Sequence, residues 1–367
     1  MILIIGPYPN PKNEKDGMVQ RILVEDSFFR GVERVYLDAR CWRNLIPRLR
    51  KLHGDLSVWE VNCFIHFALI VYLAIRCTCI LVHSVYRAKH ILPMYIWKKV
   101  ITEMHGIVPE ERLHEGRKIG AWFYGKIEAF AVRRSYLVIV VTQAMEDHLR
   151  SKYGRCCSKM LIVPNFDSAP FPQKNGGRMD DRPVVIYCGG AHVWQNVDLM
   201  VDAMSQLSDR FEFVVLTRDM EVFRRKLGRS GLDGVVKLAT VPKAEVGKYY
   251  LQADLGFVLR EDNIINRVAC PTKLIEYLAY GIIPIVLQAR IGDFAEYGYS
   301  YVLLSDLLAG NIPADTTAES MRIRNYEVVQ RMRDLAVARL TRLVALLTDL
   351  DHGGMPEASS IWTTDRK

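Results

Sequence analysis

The stretch LGFVLREDNIINRVACPTKLIEYLAYGIIPIVL, residues 255–287, constrains the fold more than any other part of the sequence. It begins with an apolar run that is typical of a buried parallel strand and that ends at Arg260. Pro271 then opens a run of apolar residues at helical spacing, because proline is favoured in a first helical turn. Gly281 ends this run, as a left-handed cap commonly does, and residues 282–287 form a second apolar run. Strand, helix and strand in this order predict a βαβ unit and an α/β fold with a parallel sheet.

The loop and the first helical turn of this unit carry the side chains that a ligand would meet. In such sheets, ligands bind beyond the carboxyl ends of the strands, where Arg260 and Arg267 lie. Thr272 and Lys273 begin the helix, whose N-terminus favours anions. Glu276 follows Lys273 by three residues and so shares its helical face. Lys273 could bind a phosphate and Glu276 could bind a sugar diol, so the pair indicates a nucleotide site. The alternative is that this is a solvated helix start and that the glutamate is incidental.

The segment PTKLIEYLAYGIIPIV resembles the PxKxxEYxAxGxPVI signature of glycosyltransferases that have the GT-B fold and belong to the retaining family-four group. The positions in register are Pro271, Lys273, Glu276, Tyr277, Ala279, Gly281 and Pro284. The resemblance implies that Glu276 holds the ribose hydroxyls of a nucleotide sugar. It also implies that Arg260, Lys273 and Thr272 hold the diphosphate.

One position departs from the family pattern. Family members often have a second glutamate eight residues before the first, where this chain has Val268. Asp262 and Glu261 are the neighbouring acids that could replace it. Retention of the anomeric configuration is likewise an implication of the resemblance alone.

Two glycine-bearing loops follow predicted strands, one in each half of the chain. Gly17 and Arg21 resemble the GxxxR part of the loop that approaches the donor phosphate in this family. The loop at 189–195 resembles a loop whose backbone N–H groups face the diphosphate, which implies a phosphate contact at Gly190. Trp194 is the first residue of the triplet Trp-Gln-Asn that replaces the family's Lys-Gly pair. Its ring either forms an aromatic wall beside the base or the sugar of the donor, or it packs in the core.

A single histidine has the sequence setting of a functional residue. His105 follows a predicted strand at 99–104 and begins the segment HGIVPEE. This segment resembles the H(D/G)…PE loop of the family's N-terminal domain, whose histidine lies near the donor sugar and the acceptor. The resemblance implies that His105 hydrogen bonds to a sugar hydroxyl or polarises a reacting group; the alternative is a loop histidine that caps a turn. Glu110, Arg267 and Trp194 are further candidates for contact with sugar or acceptor.

The length of 367 residues predicts about two domains. With the resemblance, we expect two doubly wound Rossmann-like domains that face each other across a cleft, and a C-terminal helix that crosses back to the first domain. The expected segments are an N-terminal acceptor-side domain at 1–166, a linker at 167–182, a donor domain at 183–317, the crossover helix at 318–350 and a tail at 351–367.

The net charge of +8 indicates an acidic partner, which is a nucleoside diphosphate, an anionic lipid surface or a nucleic acid. No basic block interleaved with aromatic residues is present, so we expect no nucleic acid. Residues 43–52, RNLIPRLRKL, are predicted to form a basic amphipathic helix. Such a helix either lies on an anionic membrane or packs on its own domain. Residues 63–75 are predicted to form a buried helix, because His66 and Arg76 interrupt the long apolar run that a membrane span needs.

The cysteine pattern indicates a reducing compartment. The eight cysteines include no CxxC pair, which argues against a structural zinc site and a disulfide framework. Residues 2–5 are too short for the apolar part of a secretion signal. We therefore expect a cytoplasmic protein, with the inner face of the membrane as a further location. We also expect no metal and no bound cofactor, because cations and helix N-termini can stabilise a leaving diphosphate.

These observations lead to one hypothesis with two alternatives. The hypothesis is a transferase that moves a sugar from a UDP- or GDP-type donor to an acceptor glycan or lipid-linked sugar in cell-surface polysaccharide synthesis. The first alternative is a GT-B homologue that binds a nucleotide sugar without turning it over, which Val268 favours. The second is a nucleotide-sugar epimerase or hydrolase.

Overall fold

The polypeptide divides into two units, each built around its own sheet. The computed structural model describes residues 1–10, 13, 17–154, 157–166 and 182–351. The first unit holds Met1–Pro164 together with the chain from Leu335 onwards, and the second holds Asn165–Asp334. Only Arg182 of the predicted linker and only Asp351 of the predicted tail lie within the described residues.

The first unit is an α/β layer structure. Its strands are β1 (Ile2–Ile5), β2 (Arg34–Arg40), β3 (Arg48–His53), β4 (Leu56–Asn62), β5 (Cys79–His83), β6 (Lys99–Met104), β7 (Leu137–Val140) and β8 (Met160–Ile162). Its helices are α1 (Gly17–Asp26), α2 (Phe67–Arg76), α3 (Val85–Ala88), α4 (Val108–His114), α5 (Lys118–Arg134) and α6 (Gln143–Tyr153).

The eight strands form one sheet in the order β3-β4-β2-β1-β5-β6-β7-β8. β1 lies in its interior, where it pairs in parallel with β2 and with β5. All four of its residues, ILII, are buried, as expected for a strand that is covered on both faces. The chain order reverses at β1, so the carboxyl ends of β1, β2 and β5 lie at a topological switch point, where ligands bind in open α/β sheets.

The second unit repeats this architecture on a smaller scale. Its strands are β9 (Val184–Cys188), β10 (Glu212–Leu216), β11 (Val236–Ala239), β12 (Leu255–Val258), β13 (Ile283–Val286) and β14 (Val302–Leu303). Its helices are α7 (Val197–Leu207), α8 (Met220–Arg229), α9 (Lys243–Tyr250), α10 (Ile264–Arg267), α11 (Thr272–Ala279), α12 (Phe294–Tyr297) and α13 (Leu304–Leu308).

The six strands pair in parallel throughout, in the order β11-β10-β9-β12-β13-β14. Aromatic side chains fill the centre of the core; the rings of Phe213 and Phe257, for example, stack with their centroids 6.2 Å apart. The predicted βαβ unit is confirmed as β12, α11 and β13. Gly281 has the left-handed backbone (φ +64°) that ends such a helix without the strain a Cβ would add.

A long C-terminal helix, α14 (Asp315–Asp351), connects the second unit to the first. The boundary between the two units falls inside it, after Asp334. Beyond that boundary, Nη1 of Arg339 donates a 2.6 Å hydrogen bond to the carbonyl oxygen of Ile162, at the end of β8. The helix therefore returns to the first unit, as predicted.

The prediction of a basic helix at 43–52 is wrong. Residues from Arg48 onwards form the edge strand β3, which pairs antiparallel with β4 through the two-residue loop Gly54-Asp55. The helical spacing of the apolar residues was misleading, because a ten-residue segment with Pro47 inside it is a poor isolated helix, whereas pairing with β4 stabilises its second half as a strand. A two-residue Gly-Asp loop between two strand-like runs is a hairpin signal, and it was present in the sequence.

The prediction of a buried helix at 63–75 is correct only in part. α2 buries Ile70, Leu73 and Ala74, whereas Phe64 and Ile75 are exposed. The helix lies on the surface of the sheet, so only one face of it is covered. Among the described helices, none combines the length and the hydropathy that a membrane crossing needs.

Candidate functional site

Tyr277, in the C-terminal half of α11, holds this helix against the carboxyl end of β9. Its hydroxyl accepts a 2.9 Å hydrogen bond from the backbone N–H of Cys188, the last residue of β9. The Tyr277 ring reaches this position only because residue 256 of β12 is glycine. A Cβ on Gly256 would lie 2.6 Å from a ring carbon of Tyr277. The fold thereby fixes the helix that carries the predicted nucleotide-binding residues.

Lys273 and Glu276 are brought together, as their spacing predicts. Nζ of Lys273 lies 2.7 Å from Oε2 of Glu276, and the Tyr250 hydroxyl donates a 2.6 Å hydrogen bond to the same oxygen. Burial lowers the pKa of Lys273, but the Glu276 carboxylate raises it, and the net pKa lies above the usual value for lysine. Oε1 of Glu276 accepts no hydrogen bond from the described residues, so one oxygen of a firmly held carboxylate remains open to a ligand.

Arg260 is a largely buried cation without a counter-charge. Its Nη1 donates a 3.0 Å hydrogen bond to Oδ1 of Asn266, a neutral acceptor, and its buried Nε has no partner. Within the ranges that the structure describes, no carboxylate forms an ion pair with this guanidinium. Burial lowers the pKa of Arg260 to about 10, which leaves it charged at neutral pH. A sequestered, uncompensated charge is costly, so this position favours binding of an anion.

Asn266 organises the loop between β12 and α11, and the sequence analysis missed it. It is fully buried, and its Nδ2 donates a 2.9 Å hydrogen bond to the carbonyl oxygen of Glu261. Its own carbonyl oxygen accepts a 3.1 Å hydrogen bond from the N–H of Gly292. Nothing in the spacing of NIINR marks this asparagine, because its contacts depend on how the loop folds and, for Gly292, on a residue beyond β13.

The glycine loop after β9 already holds a carboxylate. Oδ2 of Asp219 accepts a 2.7 Å hydrogen bond from the N–H of Ala191, and it lies 3.0 Å from where a Cβ on Gly190 would be. A side chain at residue 190 would therefore crowd the Asp219 carboxylate, an internal acid, so the glycine here is explained without a phosphate. Trp194 is half-buried and stacks on His192, with ring centroids 4.8 Å apart, so it is not a core residue.

The remaining predicted residues of the second unit have different surroundings. Arg267 is 47% exposed, and both nitrogens of its guanidinium edge contact Asp262, at 2.6 and 2.8 Å. Asp262 is therefore neutralised and is a poor replacement for the glutamate that the family pattern has at Val268, which is buried. Thr272 is the first residue of α11 and is partly buried.

In the first unit, His105 lies directly after β6, above a buried acid. Its Nε2 has no hydrogen-bond partner among the described residues and lies 3.5 Å from Oε2 of Glu103. Nδ1 of His83 lies 2.5 Å from the same oxygen. Burial lowers the pKa of His105 to about 4, despite the attraction of Glu103, since Arg21 and His83 oppose a further positive charge. The imidazole is therefore neutral at pH 7.

A buried charge network supports this histidine, and the sequence analysis did not identify it. Nε of Arg21 lies 2.7 Å from Oε1 of Glu103 and 2.7 Å from Oε1 of Glu25. Burial disfavours ionisation of Glu103, but His105, Arg21 and His83 hold its pKa well below the usual value. Burial and the Glu103 charge raise the pKa of Glu25 well above its usual value. Arg21 was noted only for its spacing from Gly17, which is the first residue of α1.

Glu110 has partners within its own unit. Its Oε1 lies 2.7 Å from Nζ of Lys152 and 3.2 Å from Nε2 of His148, both on α6. Although burial raises it, these contacts lower the pKa of Glu110 to about 2. The contact between Glu110 and a sugar or acceptor remains a prediction.

Among the residues that the structure describes, two groups of side chains have the donor atoms of a metal site. One consists of His83, Glu103 and His105, and the other of Cys41, Cys63 and His90, each with its donor atoms within 4.8 Å of one another. In the first group the Arg21 guanidinium already contacts Glu103 and would repel a divalent cation. Neither group resembles the site that a nucleotide-bound metal would use, because neither includes residues of α11 or the loop before it.

Neither a family model nor the sequence of a curated protein matches this chain significantly. Solved structures do match its fold over almost its whole length. Sucrose-phosphate synthase from Thermosynechococcus elongatus has a TM-score of 0.69 at 13% identity, covering 96% of this chain and 99% of that one. HepE from Anabaena, solved with UDP and glucose, has a TM-score of 0.68 at 13% identity, covering 95% and 99%.

The α,α-trehalose-phosphate synthase (UDP-forming) from Burkholderia vietnamiensis has a TM-score of 0.66 at 12% identity, covering 96% and 97%. The chain has the GT-B fold. The predicted fold class and the predicted resemblance to GT-B glycosyltransferases are confirmed at the level of the fold. The roles of individual residues in this GT-B protein remain predictions, because identities this low carry the architecture alone.

Proposed function

We propose that this GT-B protein is a glycosyltransferase that takes its sugar from a nucleoside diphosphate sugar. The observation that supports this most is Arg260, a largely buried guanidinium with a neutral partner and no counter-charge. A diphosphate supplies the missing negative charge. One of the similar structures is a UDP-forming synthase and another was solved with UDP, which makes UDP the first nucleotide to test.

In this proposal, residues of α11 and of the loop after β12 contact different parts of the donor, and a residue of α9 holds one of them in position. Tyr250 and Lys273 fix one oxygen of Glu276, so that Oε1 can accept hydrogen bonds from the two hydroxyls of a ribose. Arg260 and Lys273 then face the diphosphate, whose charge increases as the bond to the sugar breaks. Preorganised cations stabilise that developing charge, because they are already in place when it forms.

His105 is the proposed contact with the reacting sugar. Its neutral imidazole can donate or accept one hydrogen bond at Nε2, which is unpartnered. Glu103 lies close to this nitrogen and is held ionised by Arg21 and His83. An adjacent anion stabilises partial positive charge on the ring and so favours a role in polarising a hydroxyl.

Several finer features belong to the same proposal. We infer transfer with retention, without a metal ion and in cell-surface polysaccharide synthesis on the cytoplasmic side of the membrane. The chain does contain one Asp-x-Asp sequence, at residues 349–351, but it lies at the end of α14 and belongs to the other unit from Arg260. Dependence on a divalent cation is therefore measured directly in the test below.

Peripheral contact with an anionic membrane is proposed from the loop between β2 and the edge strand β3, together with the start of that strand, rather than from a helix. Trp42 is 90% exposed, and Leu45 and Ile46 are exposed beside it. Arg43 and Arg48 flank these apolar side chains and are exposed as well. Apolar side chains with flanking cations suit an interface that holds anionic headgroups, and such contact would give access to a lipid-linked acceptor.

The first test is thermal stability with UDP, GDP, ADP and CMP in turn, each with EDTA and with Mn²⁺. A ligand that binds the folded state raises the melting temperature. We expect a rise with UDP that persists in EDTA, is lost in Arg260→Gln and is kept in Arg224→Gln, an exposed arginine of the same unit. If Arg260→Gln keeps the full rise, the proposed donor site is wrong.

A second candidate is a homologue that binds a nucleotide sugar without turnover. Val268 is buried where a glutamate is expected, and Asp219 occupies an N–H group of the glycine loop. Incubation with UDP-glucose separates the candidates. Transfer to an added glycan supports the transferase, a changed or free sugar without acceptor indicates an epimerase or hydrolase, and an intact donor despite binding indicates the inactive homologue.

A further inference from the structure

A cavity of about 500 Å³ opens in the first unit at the carboxyl ends of β2 and β5. This volume is in the range of small-molecule sites. Five of its twelve lining residues are cationic, and none is acidic; the cations are Arg40, Arg43, Arg87, Lys89 and Arg112. Of its lining residues, only Trp42 and Arg43, in the proposed membrane contact, have been given a role above.

The acids near the cavity leave part of this positive charge uncompensated. Asp38 is shared between Arg40, at 2.9 Å, and Arg87, at 3.0 Å. Glu115 contacts Arg112 at 3.1 Å. Neither acid lines the cavity.

Among the described residues, no carboxylate pairs with either of the two remaining cations. Lys89 donates a 2.9 Å hydrogen bond to the Tyr124 hydroxyl and forms no ion pair with a described carboxylate. The Arg43 side chain forms neither a hydrogen bond nor an ion pair within the described residues. His90 also lines the cavity. Burial, together with the charges of Lys89, Arg87 and Arg40, lowers its pKa to about 4.

Aromatic rings hold the cations in position. Nζ of Lys89 lies 5.4 Å from the centroid of the Tyr124 ring, and the Arg112 guanidinium lies 5.1 Å from that of Tyr86. The two rings contact each other edge to face, with centroids 4.9 Å apart. Cations fixed before a ligand arrives lose less side-chain entropy on binding, so this wall is preorganised for an anion.

The cavity wall is connected to His105, the residue predicted to contact the sugar, through His83 and Glu103. Ser84 lines the cavity and directly follows His83, whose Nδ1 lies 2.5 Å from Glu103. Ser84 has φ +77° and ψ 146°, a backbone conformation that is almost restricted to glycine. Such strain is characteristic of residues at functional sites, and here it occurs between the cavity and the buried charge network.

The cavity wall favours an anion over a metal ion. The Cys41 and Cys63 sulfurs lie 3.3 Å apart, and the Cys41 sulfur lies 3.7 Å from Nδ1 of His90, which outlines a three-ligand cation site. Metal ligation needs thiolates, but burial and Cys41 raise the pKa of Cys63 to about 11. The surrounding arginine and lysine side chains would also repel a divalent cation.

We propose that this cavity binds the phosphate or diphosphate group of the acceptor, so that the acceptor is phosphorylated. The inference rests on the proposed transferase function and adds the chemical class of its second substrate. Two sources share this chemistry, a soluble sugar phosphate and the diphosphate head of a lipid-linked sugar. Arg43 and Lys89 supply the unpaired charge, and Tyr86 and Tyr124 offer ring faces and hydroxyls to the attached sugar.

The experiment measures dissociation constants by calorimetry for inorganic phosphate, glucose 6-phosphate and glucose. We expect glucose 6-phosphate to bind more tightly than inorganic phosphate, and glucose to bind weakly or not at all. Loss of one cation that contacts a phosphate weakens binding by roughly tenfold. We expect this for Arg43→Gln and Lys89→Gln, and no change for the matched exposed residues Arg50→Gln and Lys126→Gln.

A vesicle assay separates the two sources. Phosphatidylcholine vesicles with a polyprenyl diphosphate are compared with vesicles that carry equal charge as phosphatidylglycerol. Preferential binding of the former, reduced in Lys89→Gln, supports a lipid-linked acceptor. Because the Arg43 side chain forms no hydrogen bond or ion pair with the described residues, Arg43→Gln keeps the calorimetric test valid if Lys89→Gln folds poorly.

The outcomes separate this inference from the proposed function. A UDP-dependent rise in melting temperature without binding of any phosphorylated probe would overturn the acceptor inference and leave the donor site intact. Phosphate binding without any nucleotide effect would overturn the transferase proposal and the acceptor role with it. Binding of inorganic phosphate as tightly as glucose 6-phosphate, with no vesicle preference, also contradicts an acceptor site.

Discussion

The hydroxyl of Tyr250 donates a 2.6 Å hydrogen bond to Oε2 of Glu276, from the end of α9 to the middle of α11. Both residues are buried. The bond turns the carboxylate so that the other oxygen is left for a ligand. We expect Tyr250→Phe to reduce the free energy of unfolding by about 1 kcal/mol, the usual net worth of one such bond.

The same variant is expected to weaken UDP binding several-fold, since the ring is kept and only the orientation of Glu276 is lost. Urea unfolding and calorimetry measure the two effects. Tyr249→Phe is the control, because the described residues offer its hydroxyl no hydrogen bond. An unchanged UDP affinity in Tyr250→Phe would show that Glu276 does not need this orientation, or does not bind the nucleotide.

Lys273→Ala tests the cation that faces the proposed diphosphate. Its removal deletes one contact to a charged ligand, which weakens UDP binding by roughly tenfold. Uridine, which has no phosphate, should bind the variant and the parent equally. Lys243→Ala, an exposed lysine at the start of α9, is the control. Equal loss of uridine and UDP binding would indicate damage to Glu276 rather than a lost phosphate contact.

Gly256→Ala tests the packing that positions α11. The new Cβ would lie 2.6 Å from the Tyr277 ring, which is fully buried and cannot move away without breaking its hydrogen bond to Cys188. Overpacking of this kind costs about 1 to 3 kcal/mol. In Gly125→Ala, on α5, the nearest atom lies 4.0 Å away, so we expect that control to be neutral or stabilising. Equal stability of the two variants in urea would contradict the packing argument.

Substitutions at Ser84 test the backbone strain beside the cavity. At an ordinary position, alanine is favoured over glycine by about 0.5 to 1 kcal/mol. At Ser84, with φ +77°, we expect the reverse: Ser84→Gly should be more stable than Ser84→Ala by about 1 kcal/mol or more. Both variants lack the hydroxyl, so the comparison isolates the backbone. An alanine variant as stable as the glycine variant would show that no strain is stored there.

The pH dependence of stability tests the state of His105. Its pKa is about 4 in the folded protein, because burial disfavours the charged ring, and about 6.5 in an unfolded chain. Between these values the unfolded chain binds the extra proton, so this residue lowers stability as pH falls from about 6.5 to 4. His90 acts in the same direction, with a folded pKa of about 4.

Glu111 has the opposite effect on stability to that of the two histidines. Burial raises its pKa to about 7, so the folded state binds the extra proton as pH falls from 7 to 4.5, and this residue then raises the free energy of unfolding. Subtracting the unfolding free energy of His105→Gln from that of the parent protein at each pH removes the contributions of Glu111 and His90. We expect His105→Gln to reduce the slope of unfolding free energy against pH by up to about 1.4 kcal/mol per unit between pH 4 and 6.5. A histidine resonance of His105 that titrates near pH 6.5 would contradict a buried neutral ring.

The sequence predicted those features that depend on neighbours along the chain. The βαβ unit followed from two apolar runs, a proline and a glycine, because strand and helix periods are local properties. The contact between Lys273 and Glu276 followed from their spacing on one helix. The position of His105 at a strand end followed in the same way, because β6 could be recognised from residues 99–104.

The sequence could not predict contacts between residues far apart in the chain. Arg21 meets Glu103, 82 residues away, and Tyr250 meets Glu276, 26 residues away. Edge pairing with β4 decided that Arg48–His53 is a strand, against the helical spacing of its apolar residues. These outcomes depend on which elements the sheet order makes neighbours, and that order is set by the packing of the whole unit.

The sequence by itself thus determined the elements, their class and the residues that the central loop presents. Only the tertiary structure decided that Arg260 is largely buried without a counter-charge among the described residues. It also decided that five cations, from the end of β2 and the loop after it, from α3 and the residue after it, and from α4, line one cavity. The physical reason is that burial and electrostatic environment are sums over neighbours in space. A periodic pattern in sequence fixes only the neighbours within one element.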